Sequence, residues 1–327
     1  MVSFDAVALP SCEPDFQPQA VAEEIHTWIS SEPMRALVSE YGASLPPASV
    51  GDLLAWLDAF SDEHWDFRKH GKVERDQVKA PSFLPDRVDL ILAAATALRL
   101  VHPDRPPHST YDHLLVLGGL GRACLQRTEY AAQLVRDNIV VVPKVAALGS
   151  FRPLTETETI LSGLASSRFE VDAMDVGVRV GFGLDDPARS ESSDGAVTHQ
   201  SWQARTYRAV DGPEVHVLAA PSSEPESRRA NTPDTYEFWA RRFSLRSTDR
   251  ILVITSSIYV PFQHSDAIRM LAMRYGCGID TIGFDPGKVT IPMAAEATGP
   301  DRYLQEIRSG ILSMRRLHHA LAGSILA

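Results

Sequence analysis

Four short loops carry the residues whose types and spacing could do chemistry. Gly118-Gly119-Leu120-Gly121-Arg122 follows the apolar run Leu114–Leu117. Leu148-Gly149-Ser150-Phe151-Arg152 follows the run Ile139–Val142. Arg229-Ala230-Asn231-Thr232-Pro233-Asp234-Thr235 follows Val215–Ala220, and Ser256, Ser257 and Tyr259 follow Arg250–Thr255. Together these loops offer backbone N–H groups, hydroxyls and guanidinium groups, the donors that hold phosphate, carboxylate or ribose. Gly118, Gly119 and Gly121 allow close backbone approach to a ligand. Arg122, Arg127, Arg152 and Arg229 are the cationic candidates, with Arg122 and Arg152 set to hold an anionic group. Asn231, Thr232 and Ser256 would donate hydrogen bonds. Glu156 is the candidate ribose ligand or base, and Tyr259 the candidate stacking group or proton carrier. A tight strand-to-helix turn without a ligand explains the glycines equally well, and exposed arginine is the norm. What joins the loops is their shared place after strand ends, where open α/β sheets seat their ligands.

The elements that must position these loops read as strand–helix alternation. Unbroken apolar runs such as Leu114–Leu117 and Ile251–Ile254 suit parallel strands buried on both faces. Helices are expected over Arg127–Arg136, over Thr155–Leu164 with Thr155 as its cap, and after Thr232, read as a cap before Pro233. Further helices are expected over Ala267–Tyr275 and 301–325. Val176, Val178 and Val180 alternate with Gly177, Arg179 and Gly181, and Trp202–Val210 alternates too, so residues 168–213 read as a small β insertion. The first hundred residues read as helical, and the proline-rich stretch His102–Asp112 as a seam. The expected architecture is therefore a helical region over 1–108, then a Rossmann-like, doubly wound, mostly parallel α/β domain over 109–327. The last helix carries Tyr303, Ile307, Ile311, Met314, Leu317, Leu321 and Ile325 at helical spacing, a core stripe or a homo-oligomer contact. Arg68, Lys69, Lys72 and Arg75 read as a solvated face.

Composition narrows the function classes. With 32 basic and 42 acidic residues the net charge is −10, which argues against general nucleic-acid binding. Cys12, Cys124 and Cys277 form no CxxC pair and read as reduced thiols of a cytoplasmic protein. There is no signal-like leader and no apolar run of roughly 18 residues, so no membrane partner is expected. The sequence has no HExxH, no phosphate-loop GxxxxGK[ST] and no GxSxG. Its Gly-Gly-x-Gly lacks the third glycine of the dinucleotide fingerprint, which makes a nicotinamide oxidoreductase a weak alternative. His318 and His319 are adjacent on a helix and do not face one another, so no metal is expected there.

In order and local pattern the chain resembles the bacterial SanA/ElyC/YdcF-like family of Rossmann-like α/β domains. The matching features are Val116-Leu117-Gly118-Gly119, Arg127 with Ala131 and Leu134, Gly149 and Arg152 before Glu156 or Glu158, the segment Arg229–Thr235, and the segment Ile254–Phe262. The family's serine, glutamate and asparagine stand here as Arg229, Asp234 and Thr235, and its histidine and arginine as Tyr259 and Phe262. Coverage is roughly residues 112–165 and 215–290. The resemblance implies a pocket for a nucleotide-like ligand, with S-adenosylmethionine bound in one branch and envelope roles in others. The expectation is then an enzyme, a transferase or hydrolase, acting on S-adenosylmethionine or another adenosine-containing or phosphorylated molecule in specialised biosynthesis. A non-catalytic ligand sensor or partner-binding protein on the same scaffold is the alternative. A degenerate scaffold with helical ends that mediate oligomerisation is a third reading.

Overall fold

A computed structural model describes residues 2–68, 82–161, 163–208, 211–293 and 299–325. The chain begins with α1 (Pro18–Ile29), α2 (Glu32–Glu40), α3 (Val50–Trp65) and α4 (Pro85–Ala97). Then come β1 (His113–Leu117), α5 (Gly121–Arg136), β2 (Lys144–Gly149), α6 (Glu156–Thr159) and α7 (Glu170–Phe182). They are followed by β3 (Arg189–Ser192), β4 (Gln203–Arg208), β5 (Glu214–Ala219), α8 (Thr232–Phe243) and β6 (Arg250–Thr255). α9 (Val260–Ala267) continues through a π-helical turn, Ile268–Ala272, into α10 (Met273–Tyr275), and β7 (Gly278–Gly283) and α11 (Pro300–Ile325) complete the chain.

The strands form one seven-stranded sheet in the order β3-β4-β5-β2-β1-β6-β7. β5, β2, β1, β6 and β7 run parallel, while β4 pairs antiparallel with β5 and β3 with β4. All five residues of β1 are buried, as a central parallel strand requires. From β1 the chain winds outward to β2 and β5, then returns to β6 on the other side of β1. The winding therefore reverses between β1 and β6, the position where doubly wound sheets open a crevice at the strands' carboxyl ends.

Alternation of side chains gives the sheet two apolar faces. Leu114, Val116, Val145, Ala147, Leu252 and Ile254 share a core with Cys124, Met174 and Val178 of α5 and α7. Leu115, Leu117, Ala146, Leu148, Ile251 and Val253 share the other core with Trp239 of α8 and Ala267 of α9. That second side carries an outer helical layer in which α11 packs on α9, α3, α1 and α4. Trp28, Leu54 and Trp65 join Ile307, Ile311 and Met314 in the same core. The terminal-helix stripe from Tyr303 to Leu321 is thus buried inside this chain, and a second copy would need another surface. No helix among the described residues is long and apolar enough to cross a membrane.

Several local expectations need correction. Val176, Val178 and Val180 lie on a helix, α7, not on a strand. Gly177 and Gly181 are one helical turn apart and let α7 pack closely on α5. A Cβ on Gly177 would run into the Thr128 hydroxyl, and one on Gly181 would lie 3.1 Å from Ala132 Cβ. Helical spacing thus explains the glycines that mimicked a two-residue period. Among the described residues of the expected β insertion only β3 and β4 are strands, and they form an antiparallel edge of the main sheet. The second strand begins at Lys144, after Pro143, and not at Ile139. The helix expected over Thr155–Leu164 is only four residues long. Lys69, Lys72, Arg75 and Val210 lie outside the described residues.

Candidate functional site

The crevice between the carboxyl ends of β1 and β6 is filled by the protein's own side chains. Arg127 sits in the second turn of α5, and its side chain leans back toward the helix N-terminus, the usual direction on a helix. Its guanidinium donates to Leu117 O at 2.8 Å, to Gly118 O, and to Ser256 Oγ at 2.9 Å. Only 2% of Arg127 is exposed, so it works as a clamp between the two strand ends. The Tyr259 ring centroid lies 5.9 Å from its guanidinium carbon, within cation–π range.

Two carboxylates complete the floor. Glu170, the first residue of α7, accepts from Ser150 Oγ at 2.7 Å and pairs with Arg152 Nε at 3.5 Å. Burial raises its pKa, against the pull of Ser150, Arg152, Arg127 and Arg229. Gly118 makes room for this carboxyl: a Cβ there would run into Glu170 Oε1 and lie 2.7 Å from Leu148 O. Glu158 stands at the N-terminus of α5, where its Oε1 accepts from the Gly121 N–H at 2.6 Å. Arg152 grips both of its oxygens, at 2.8 and 3.0 Å. Burial disfavours ionised Glu158, but the Arg152 fork and the N–H groups of Thr155 and Gly121 outweigh it and hold its pKa at about 2.

The other sequence candidates fall around this floor. Gly119 uses its carbonyl to accept from Arg152 Nη2 at 2.8 Å. Arg122 is turned outward and donates to Pro292 O at 2.9 Å. Glu156 is exposed at the start of α6, while Glu158, two residues on, is the buried acid. Asn231, not Thr232, caps α8: its Oδ1 accepts from the Asp234 N–H at 3.2 Å, and Thr232 begins the helix. Arg228 braces this loop by donating to Glu224 Oε1 at 3.0 Å and to the Asp234 carboxylate, which leaves Arg229 exposed at the crevice rim. The glycines, Arg127, Arg152 and Ser256 therefore come together, Arg122 and Glu156 point away, and Tyr259 lies alongside.

Glu170 is absent from the sequence candidates, and Glu158 stands among them only as the alternative to Glu156. Thr155-x-x-Glu158 is a capping-box pattern and could have marked Glu158. Glu170 was hidden by reading its helix as a strand.

The opposite, amino end of the sheet holds a more open concavity. A groove of about 400 Å³ is lined by His108, Ser109, Thr110, Asp112, Thr248 and Arg250. Beside it His108 Nε2 lies 3.3 Å from Glu13 Oε1, Arg250 pairs with Glu13, and the Tyr111 hydroxyl donates to Asp280 at 2.9 Å. Deeper, His113 and His216 line a void with no room for water beneath Trp239 and Phe243. Among the described residues no group of three or more His, Cys, Asp or Glu side chains could hold a metal ion.

Comparison with known proteins changes the family expectation. The model of the Rv3785 N-terminal domain matches residues 12–99, the helical region that the SanA/ElyC/YdcF-like resemblance left uncovered. Over 321 residues the chain is 28% identical to the uncharacterized protein Rv3785 of Mycobacterium tuberculosis (strain ATCC 25618 / H37Rv), covering 91% of this chain and 89% of the relative. It matches the uncharacterized protein Mb3814 of Mycobacterium bovis to the same extent. No solved structure matches. These findings overturn the SanA/ElyC/YdcF-like assignment, whose motifs reflect strand-end turns common to doubly wound sheets. By its helical N-terminus and along nearly its whole length, the chain is similar to Rv3785.

Proposed function

We propose that the protein binds a small phosphorylated or carboxylated molecule, nucleotide-like in class, across the carboxyl ends of β1, β2, β5 and β6. The observation that carries this reading is the local cationic excess. Arg127, Arg152 and Arg229 gather around Glu170, and Arg152 also holds Glu158, on a chain whose net charge is −10. A locally cationic sheet edge on an acidic protein selects small anions over polyanionic surfaces. Arg229 is the cation at the rim, exposed and near enough to Glu170 to lower its pKa. Glu170 is the group that would take or give a proton, because burial shifts it toward the neutral form. Ligand sensing without turnover is the second reading, favoured by a Glu170 side chain only 11% exposed.

Thermal shift and calorimetric titration with inorganic phosphate, pyrophosphate, ADP and S-adenosylmethionine test this. At least one should raise the Tm and give a saturable isotherm, weakened roughly tenfold by Arg229→Ala through loss of a charge-assisted contact. The absence of any shift across the panel would overturn the reading. Mass spectrometry of the recovered ligand separates turnover from sensing.

A further inference from the structure

We infer that Cys12 and Cys277 form a redox pair: oxidation joins them in a disulfide that fastens the N-terminal segment to the edge of the sheet. The two residues are 265 positions apart, and the fold lays one beside the other. The Ile279 N–H donates to Cys12 O at 2.7 Å, and the Asp15 N–H donates to Gly276 O at 3.0 Å. Residues 12–15 therefore run antiparallel along 276–279, on the outer side of the edge strand β7. Chains paired in this way lie about 5 Å apart, inside the roughly 4.4–6.8 Å that separates the Cα atoms of a disulfide. The Cys12 thiol reaches toward its neighbour, with Sγ 3.9 Å from Cys277 O. Both side chains enter the same core, together with Ile279 and Leu271. The thiols are close enough that a charge on Cys277 would push the Cys12 pKa up. Cys124 lies in the other core, across the sheet, and is out of reach of both.

While the edge is closed the pair stays reduced. Burial raises the pKa of both thiols, so neither is a thiolate near neutral pH. Cys12 is the thiol an oxidant meets first: it is 6% exposed against 0% for Cys277, and its neighbours Ser11 and Glu13 are exposed. Residues 2–13 belong to no helix or strand, the kind of segment that opens locally while the core stays folded. Hydrogen peroxide is the class of oxidant that suits the pair. The Cys12 sulfur attacks the O–O bond, takes one oxygen as a sulfenic acid and releases water. The Cys277 sulfur then attacks the Cys12 sulfur; the S–S bond forms, the S–O bond breaks and a second water leaves. The thiols lose two electrons and two protons, which the peroxide takes up. The bond would fix the N-terminal helical layer to the sheet, because the adjoining residues already bridge the two. Ser11 donates to Glu24 of α1 at 2.7 Å, and His264 Nε2 of α9 donates to Pro10 O at 2.7 Å. The pair sits before the amino end of β7, away from the anion site proposed above, and does not depend on it.

Treatment of the folded full chain with hydrogen peroxide tests the pair. Remaining thiols are then blocked with N-ethylmaleimide in denaturant, and peptide masses are read. The expected product keeps one blocked thiol, Cys124, and yields a peptide that links Cys12 to Cys277. Its Tm should rise by about 5 °C or more, because the bond closes a loop of most of the chain, and dithiothreitol should restore the original value. Hydrogen exchange at Ile279 and over 11–16 should slow in the oxidised protein. Cys12→Ser and Cys277→Ser should form no internal link and show no rise in Tm. The wild-type measurements decide the matter alone if either variant fails to fold. Three blocked thiols after treatment, a link that uses Cys124, or sulfinic and sulfonic acids in place of the disulfide overturns the pair. A Cys12–Cys277 bond with an unchanged or lower Tm, or with exchange over 11–16 no slower than before, overturns the fastening.

Discussion

At the carboxyl end of the parallel sheet the charged groups on the crevice floor are largely buried and held by several partners, with Arg229 exposed at the rim. Arg127 is clamped between two strand ends, and Arg152 bridges Glu158 and Glu170. At the amino end the charges around the groove are more accessible, although His113 and Asp249 beneath them are buried. Arg250, His108 and Asp280 are half-buried and Glu13 is exposed around a groove of about 400 Å³. Volume points to one end and topology with charge to the other. The contrast teaches that a site closed by its own side chains offers no cavity to find, and shows instead as a concentration of buried, fully partnered charge. It also separates two energetic regimes, since desolvated groups cost heavily when a partner is removed and exposed pairs do not.

The sharpest way to break this comparison is to remove one arginine from each end. Arg127→Ala would leave Leu117 O, Gly118 O and Ser256 Oγ without their donor, and should lower stability by about 3 kcal/mol. Arg250→Ala removes a pair in which Arg250 is 34% and Glu13 56% exposed, and should cost about 0–1 kcal/mol. Urea denaturation of both variants measures the difference. Equal losses would mean that the carboxyl end is no more desolvated than the amino end.

A smaller effect should separate the ends by pH. At the amino end burial lowers the pKa of His113 and His216 below 6.5, with Asp249 beside the first and Glu214 beside the second pulling back. The unfolded chain then takes up protons first as the pH falls, so the stability these groups give above 6.5 is lost on acidification below it. At the carboxyl end Glu158 contributes stability that is fully present above 4.5 and is lost only as the pH falls toward about 2. Glu170 acts with the opposite sign: its raised pKa gives stability at low pH that is lost as the pH rises through its folded value. From about pH 7 to about pH 5 the urea midpoint should therefore fall less, relative to its value at pH 7, in His113→Phe than in the wild type, while Glu158→Gln keeps the wild-type slope over that range. A slope in this range that follows Glu158 instead of His113 would reverse the assignment.

Much of the frame was legible in the residues, and the reasons are physical. Leu114–Leu117 and Ile251–Ile254 announce central strands because burial on both faces permits no polar alternation. The order of these runs, with intervening helices, is enough for a doubly wound sheet. The second strand is hard to place from sequence because Ala146 and Ala147 carry little apolar signal beside Ile139–Val142, which lead into Pro143. In α7 two glycines one turn apart produced a false two-residue period. The site was half legible: Gly118 and Arg152 stand where strand-end logic puts them, yet Gly118 is small for the sake of Glu170, some fifty residues later in the chain. Only the fold brings Glu170 to β1, and only burial distinguishes Glu158 from Glu156. Local pattern locates an edge of the sheet. It does not reveal which of the protein's own groups will fill that edge.

The central claim is that chemistry belongs to the filled carboxyl end and not to the open amino end. A heteronuclear NMR titration of the full chain with pyrophosphate tests it most directly. The account predicts amide shifts at Gly119, Gly121, Arg122, Arg152 and Arg229, with Ser109, Thr110, Thr248 and Arg250 unmoved. Shifts confined to the groove around Thr110 and Arg250, with the carboxyl end silent, would contradict it.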